Sequence, residues 1–191
     1  MIDGVIVRVI LDACVLYPAP VRDILLSFAS EGLYQPKWTH HIQEEWIRNL
    51  LINRPDLSME RLELLVQTMD RAFPDANIKD YESRIDSLNL PDVDDRHVLA
   101  AALESDSDMI ITFNLKDFPS KQLSEYGLLA RHPDDFLIDL YNENELRGTL
   151  AFNKQLKRLK NPRIEAEDLL QILTKSGLPK IAKTLRNVRY H

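Results

Sequence analysis

The 191-residue sequence predicts an α/β fold, an α/β/α sandwich with a mostly parallel central sheet, followed by a small helical extension. The run at residues 5–11 is β-branched and nearly continuous, which is typical of a strand buried on both faces. Runs of this kind alternate with segments of helical period, and no internal repeat interrupts them. After residue 132 only helical patterns remain, so we predict one domain over 1–132 and an extension over 133–191.

Apolar spacing and helix-ending residues define each element. The predicted strands cover residues 5–11, 33–38, 109–113 and 127–132. The predicted helices cover residues 21–32, 41–51, 59–73, 95–106, 134–160 and 166–177. Prolines at 18 and 20 precede the first helix and Gly32 closes it, while Ser58 suits the N-cap of the third. In the second helix Ile42 and Trp46 lie on one apolar face.

Composition indicates an ordinary globular protein, with 45% hydrophobic and 28% charged residues. Cys14 is the single cysteine, so no intrachain disulfide can form and a reducing compartment is compatible. The apolar run near the N-terminus contains Arg8 and Asp12, is shorter than the ~20 residues of a membrane span, and lacks signal-peptide features. We therefore predict a cytoplasmic protein that does not bind membranes.

The overall charge of −6 by itself argues against a nucleic-acid partner, but the charges are unevenly distributed along the chain. Residues 1–132 hold 13 Lys and Arg against 22 Asp and Glu, a net charge of −9. From Arg147 onward there are 11 against 3, a net charge of +8. A basic cluster on the predicted helix comprises Lys154, Lys157, Arg158 and Lys160. Charge alone leaves two readings open, a nucleic-acid contact and a solvated helix face.

Carboxylates follow the predicted strands. Asp12 ends the first strand and Asp117 follows the strand at 109–113, so both lie at the carboxyl edge of the sheet, where ligands of such folds bind. Asp95 opens a helix, Asp92 precedes it, and Glu45 comes from another helix. If these acids converge, their repulsion requires cations, and oxygen-only ligands suit Mg²⁺ or Mn²⁺.

Each acid also has an ordinary structural reading. Asp94 and Asp95 can cap a helix, Asp12 can belong to a turn, and Glu45 can lie on a solvated helix face. We expect Asp94 to be the cap and His97, next to the acids, to face solvent. The joint pattern of acids carries the metal-site hypothesis, since no single acid does.

Four segments together resemble the PIN-domain ribonuclease family. They read "VILDACVLYP", "HIQEEWIRNL", "LPDVDDRHVLAAAL" and "IITFNLKDFP", in the order in which the family has them, and the resemblance covers about residues 6–140. Within the family the chain looks most like the VapC-like toxins of bacterial toxin–antitoxin pairs, in a longer form with a helical tail. The resemblance implies an endoribonuclease that depends on Mg²⁺ or Mn²⁺, is often a homodimer, and has a cognate antitoxin.

The resemblance also implies roles for individual residues. Asp12, Asp95 and Asp117 would hold metal, Glu45 would complete the ring, and Asp92 would be an outer ligand. Thr112 and Asn114 would fix Asp117 or a metal-bound water. The basic cluster would then contact RNA phosphates. Two alternatives stay open, a non-toxin RNA-processing nuclease and a non-catalytic PIN-like module that binds RNA or protein.

Overall fold

The computed structural model describes residues 6–160 and 162–187. Residue 5 of the predicted first strand, and the outermost ends of both predicted domains, lie outside this part of the chain.

The described residues form five strands and ten α-helices. The strands are β1 (Arg8–Leu11), β2 (Gln35–Thr39), β3 (Asn77–Ile78), β4 (Met109–Ile111) and β5 (Leu129–Arg131). The helices are α1 (Ala13–Leu16), α2 (Ala19–Ser30), α3 (His40–Asn53), α4 (Met59–Ala72), α5 (Arg96–Glu104), α6 (Ser120–Leu123), α7 (Pro133–Glu143), α8 (Glu145–Arg158), α9 (Ala166–Lys175) and α10 (Pro179–Arg186). Short 3₁₀ helices occupy Glu82–Ser87, Leu115–Asp117 and Ser124–Tyr126.

The five strands form one parallel sheet in the order β3-β2-β1-β4-β5. This sheet, with its flanking helices, confirms the predicted α/β class. The central strands β1 and β4 pair with Leu11 opposite Ile111, so the residues that follow them leave the sheet side by side. Apart from their first residues, Arg8 and Met109, β1 and β4 are buried and aliphatic, as expected of parallel strands covered on both faces.

The structure differs from the prediction mainly at short elements. The strand β3 was not predicted, because two residues carry no readable period, and it exists through its pairing with the end of β2. The predicted helix over 134–160 is two helices, since Asn144 ends α7 and its side chain accepts a hydrogen bond from the Arg147 N–H (3.0 Å) to begin α8. The helix α10 was also missed. Ser58 caps α4 as predicted, accepting from the Arg61 N–H at 3.4 Å.

The described residues divide into two compact units. The first comprises residues up to Tyr17 together with Gln35–Arg131, and it contains the whole sheet. The second comprises Pro18–Tyr34 together with the chain from His132 onward, and it is helical. The helix α2 therefore groups with the C-terminal helices, whereas the prediction placed it in the first domain.

A buried carboxylate organises the second unit. Asp134 is 2% exposed, and its two oxygens accept hydrogen bonds from the Lys180 N–H (2.8 Å) and the Ile181 N–H (2.9 Å). These amides begin α10, which has no side-chain cap of its own. Asp134 supplies that cap from α7, 46 and 47 residues before the two amides, which local patterns cannot reveal.

Among the described residues, no helix combines the length and the apolar character that crossing a membrane requires.

Candidate functional site

Asp12 lies at the carboxyl end of β1, in the centre of the sheet. Its N–H donates to the Ile111 carbonyl (3.1 Å), which extends the pairing of β1 with β4 by one residue. The side chain is only 4% exposed, and burial raises its pKa, whereas hydrogen bonds from Thr112 and Cys14 lower it. Glu45 raises the pKa of Asp12 further, so this glutamate lies close enough for its charge to be felt.

Thr112 holds the Asp12 carboxylate. The threonine is fully buried at the end of β4, and its hydroxyl donates to Asp12 Oδ2 at 2.7 Å. The Asn114 N–H donates to the same hydroxyl oxygen at 2.9 Å, so the hydroxyl hydrogen is directed to Asp12. We predicted that Thr112 and Asn114 fix Asp117 or a metal-bound water. The structure shows the Thr112 hydroxyl bonded to Asp12, because β4 is the neighbour of β1.

Cys14 joins this network two residues after Asp12. Its thiol donates to Asp12 Oδ2 at 3.1 Å, and its sulfur accepts from the Phe113 N–H at 3.2 Å. Burial, followed by the Asp12 charge, raises the pKa of the thiol above its ordinary range. Cys14 is therefore a neutral hydrogen-bond donor to Asp12.

Asp95 occupies the N-cap position of α5 but does not cap the helix with its side chain. The prediction of Asp94 as the cap was wrong. Asp92 Oδ1 accepts from the Asp94 N–H at 2.9 Å, and this local turn delays the start of the helix until Arg96. The Asp95 carboxylate is half-buried and makes no capping bond, so capping does not explain its presence.

Glu45 contacts His97, a residue whose position was predicted wrongly. His97 is 3% exposed rather than solvent-facing, because α5 is alanine-rich and buried over most of its circumference. Its Nε2 lies 3.5 Å from Glu45 Oε2, and its ring stacks on His41 with centroids 3.9 Å apart. The adjacent residue of α3, Glu44, lies at the surface, where it pairs with His40 at 3.0 Å.

Asp12, Glu45, Asp92 and Asp117 lie close enough to Asp95 to interact with it electrostatically. Burial raises the pKa of Asp95 to about 7, and the negative charges of Asp12, Asp92, Asp117 and Glu45 contribute to the rise in that order. Each of these four carboxylates is therefore near enough to repel Asp95. Asp117 is half-buried in the 3₁₀ helix after β4, and Asp92 is exposed in the loop before α5.

The donor set is suited to a hard divalent cation. The five residues offer only carboxylate oxygens, and a cation would remove the repulsion that raises the pKa of Asp95. Within the described residues, however, no three His, Cys, Asp or Glu side chains already stand in a metal-holding arrangement. Closing on an ion therefore requires these side chains to turn toward one another.

The basic cluster belongs to the second unit and divides into two pairs. Lys154 forms an ion pair with Glu31 (2.5 Å), and Arg158 lies near Asp23, whose pKa burial raises and Arg22 and Arg158 lower. The exposed Lys157 and Lys160 form no ion pair within the residues described, and they line a cavity with Arg163. The counter-acids of the first pair are Glu31, the C-cap of α2, and Asp23 within that helix, both more than a hundred residues away in the chain.

His41 and His97 were not predicted as site residues. The separation of His97 from Asp95 by two residues, and of His41 from Glu45 by one helical turn, is the signal that could have indicated them. That signal needs knowledge of which face each helix buries.

Two family models and one curated protein match the chain. Residues 8–116 match the family described as PIN domain, and residues 133–187 match the family described as VapC50 C-terminal domain. The curated protein "Putative ribonuclease VapC50" of Mycobacterium tuberculosis (strain ATCC 25618 / H37Rv) is 54% identical over 52 residues. This similarity covers 26% of the chain and 31% of the relative, less than a third of that protein's length. No solved structure matches.

Proposed function

The chain belongs to the PIN-domain family, and from that membership we propose that it is a metal-dependent endoribonuclease that hydrolyses phosphodiester bonds of RNA. The convergence of four other carboxylates on Asp95 carries the proposal. A folded protein tolerates such repulsion when a cation or a substrate group compensates it in the working state.

Three aspartates would hold the ion, either directly or through water. Asp12 is the most firmly oriented of them, since Thr112 and Cys14 both donate to its Oδ2. Asp95 lies at the start of α5 and Asp117 follows β4, so the three approach from separate elements. Asp92 would be an outer ligand, because it is exposed and tied to the backbone of its own loop.

A bound Mg²⁺ or Mn²⁺ would polarise the phosphodiester and activate a water molecule for attack. Glu45 would orient that water and accept its proton, since its carboxylate faces the acids and touches no cationic Lys or Arg in the described part of the chain. Thr112 and the Asn114 N–H would keep the Asp12 carboxylate in one orientation throughout.

This proposal is tested by measuring RNA cleavage, which should occur with Mg²⁺ or Mn²⁺ and stop in chelator. For the role of Glu45, the neighbouring Glu44 provides a matched control. The variant Glu45→Gln should lose at least ~100-fold in rate, the range in which a general base contributes. Glu44→Gln, one residue away on the exposed face of α3, should retain the wild-type rate. The opposite order of the two rates would assign the role to Glu44 and contradict the geometry.

We further propose that the protein is the toxin of a type II toxin–antitoxin pair, with a cognate antitoxin as partner and a homodimer as its assembly. The match of residues 133–187 to a domain named after VapC50 supports this branch of the family. Expression of the chain alone should arrest bacterial growth, and Asp12→Asn should not. Growth unaffected by an active enzyme would favour an RNA-processing nuclease instead.

The extension would supply the attraction for RNA that the acidic domain lacks. Residues 1–132 carry a net charge of −9, which repels a polyanion. Lys157 and Lys160 are the best phosphate contacts of the basic cluster, because Lys154 and Arg158 already lie near acids, Glu31 and Asp23 respectively. Phosphate contacts dominate the affinity of proteins for nucleic acids.

A further inference from the structure

A cavity of about 340 Å³ adjoins the carboxylates on one side. Its lining comprises His41, Glu45, Arg48, Asp94, Asp95 and His97. Two of these residues are proposed catalytic acids, so a molecule that occupies the cavity lies beside the reacting phosphate. The volume falls within the ~300–1,000 Å³ of small-ligand pockets, which is sufficient for one nucleotide.

The lining also offers an aromatic ring and a guanidinium group. The His41 ring stacks on His97 at 3.9 Å with an interplanar angle of 24°, yet the His41 side chain is exposed. His97 is buried, so its contact with the His41 ring restricts the plane of that ring. Arg48 is exposed and forms no ion pair within the described residues, although acids lie around the same cavity.

His97 is the buried member of the stacked pair. The residue is only 3% exposed, and its Nδ1 atom is buried without a hydrogen-bond partner in the described part of the chain. The buried imidazole therefore serves as a support for the exposed His41 ring that stacks on it.

We propose that this cavity is a nucleotide subsite for single-stranded RNA, in which the base next to the scissile phosphate stacks on His41 and Arg48 contacts the adjoining phosphate. The inference rests on the proposed ribonuclease activity and names two substrate-contacting residues for it. Unpaired bases stack on aromatic side chains and arginine planes in this manner, whereas a duplex keeps its bases inside. The enzyme therefore requires an unpaired nucleotide at this position.

The test uses a single-stranded RNA oligonucleotide that the wild-type protein cleaves, and the same RNA with an abasic nucleotide beside the cleavage site. His41→Ala should raise KM for the intact RNA about 5- to 10-fold, the lower part of the range for base stacking. His41→Phe should preserve KM, since it retains a ring. The abasic RNA should bind poorly to the wild type, and His41→Ala should add no further loss.

Two variants complete the design. Arg48→Gln should raise KM and reduce the slope of log affinity against log salt by about 0.7, the contribution of one phosphate contact to a single strand. His40→Ala is the matched control, because His40 is exposed on the same helix, pairs with Glu44 and does not line this cavity. It should behave as the wild type does.

A wild-type KM for His41→Ala, or an equal abasic penalty in both proteins, overturns the subsite while leaving the nuclease proposal intact. A wild-type protein that neither binds nor cleaves RNA overturns both proposals.

Discussion

Replacing Asp95 with asparagine should stabilise the protein in the absence of metal, and only above acidic pH. The pKa of this carboxyl is raised from 3.8 to about 7 by burial and by four neighbouring carboxylates. The charged form is therefore disfavoured in the folded state. Asparagine has nearly the same shape and no charge, so Asp95→Asn removes the repulsion without leaving a cavity.

The dependence on pH follows from the direction of the shift. Below about pH 4 the carboxyl is protonated in both folded and unfolded chains, so it makes no difference to stability. Between about pH 4 and 7 the unfolded chain releases its proton first, and the folded state loses stability as the pH rises. Above pH 7 the loss is complete. Asp95→Asn should escape this loss.

The stabilisation expected for Asp95→Asn can be bounded from above and then reduced for solvent screening. Three pKa units correspond to ~4 kcal/mol at 1.36 kcal/mol per unit. Asp95 is half-buried, so solvent screening reduces the expected gain to about 1–2 kcal/mol at pH 8. For a chain of this length that corresponds to a rise in Tm of ~2–8 °C.

Thermal unfolding in chelator at pH 4 and pH 8 measures the effect. The exposed Asp86 is a suitable control, since it is not among the charges that raise the pKa of Asp95, and Asp86→Asn should leave Tm unchanged at both values. An Asp95→Asn protein that is no more stable than the wild type at pH 8 would refute the argument that the carboxylates repel one another.

Two further predictions concern the second unit. Asp134→Ala removes the cap of α10 and should lower the free energy of unfolding, measured by urea denaturation, by about 2–3 kcal/mol. The control Asp135→Ala should lower it by less than ~1 kcal/mol, because that residue forms only a surface ion pair. Equal losses would contradict the capping role. The double variant Lys157→Gln, Lys160→Gln should reduce the slope of log RNA affinity against log salt concentration by about 1.4. Lys154→Gln should change this slope less, because Lys154 is already ion-paired. An unchanged slope in the double variant would assign these lysines to packing or to a protein partner.

Residues at the sheet edge were the most predictable part of the site. Asp12 and Asp117 follow strands whose aliphatic runs are legible in the sequence, and parallel strands bring their carboxyl ends to one edge. The bond between Thr112 and Asp12 depends in addition on β1 and β4 being neighbours. Strand order is a long-range property, so the sequence did not indicate that Thr112 would contact Asp12.

Helical residues were less predictable because their orientation depends on packing. His97 lies on a helix that is buried over most of its circumference, so its polarity misled the prediction of exposure. The pairing of Lys154 with Glu31 joins helices that are distant in sequence, and so does the capping of α10 by Asp134. Tertiary contacts such as these leave no local period or spacing in the chain.

The most direct test of the account is a titration of chelator-treated protein with Mn²⁺, in which metal binding by calorimetry and RNA cleavage are followed on the same preparation. Binding and activity should appear together with one midpoint in the wild type. Asp12→Asn should show neither while it melts as a folded protein, because the best-oriented carboxylate has lost its charge. RNA cleavage at the full rate in chelator, or full activity of Asp12→Asn, would contradict the central claim that these carboxylates form a metal-dependent ribonuclease site.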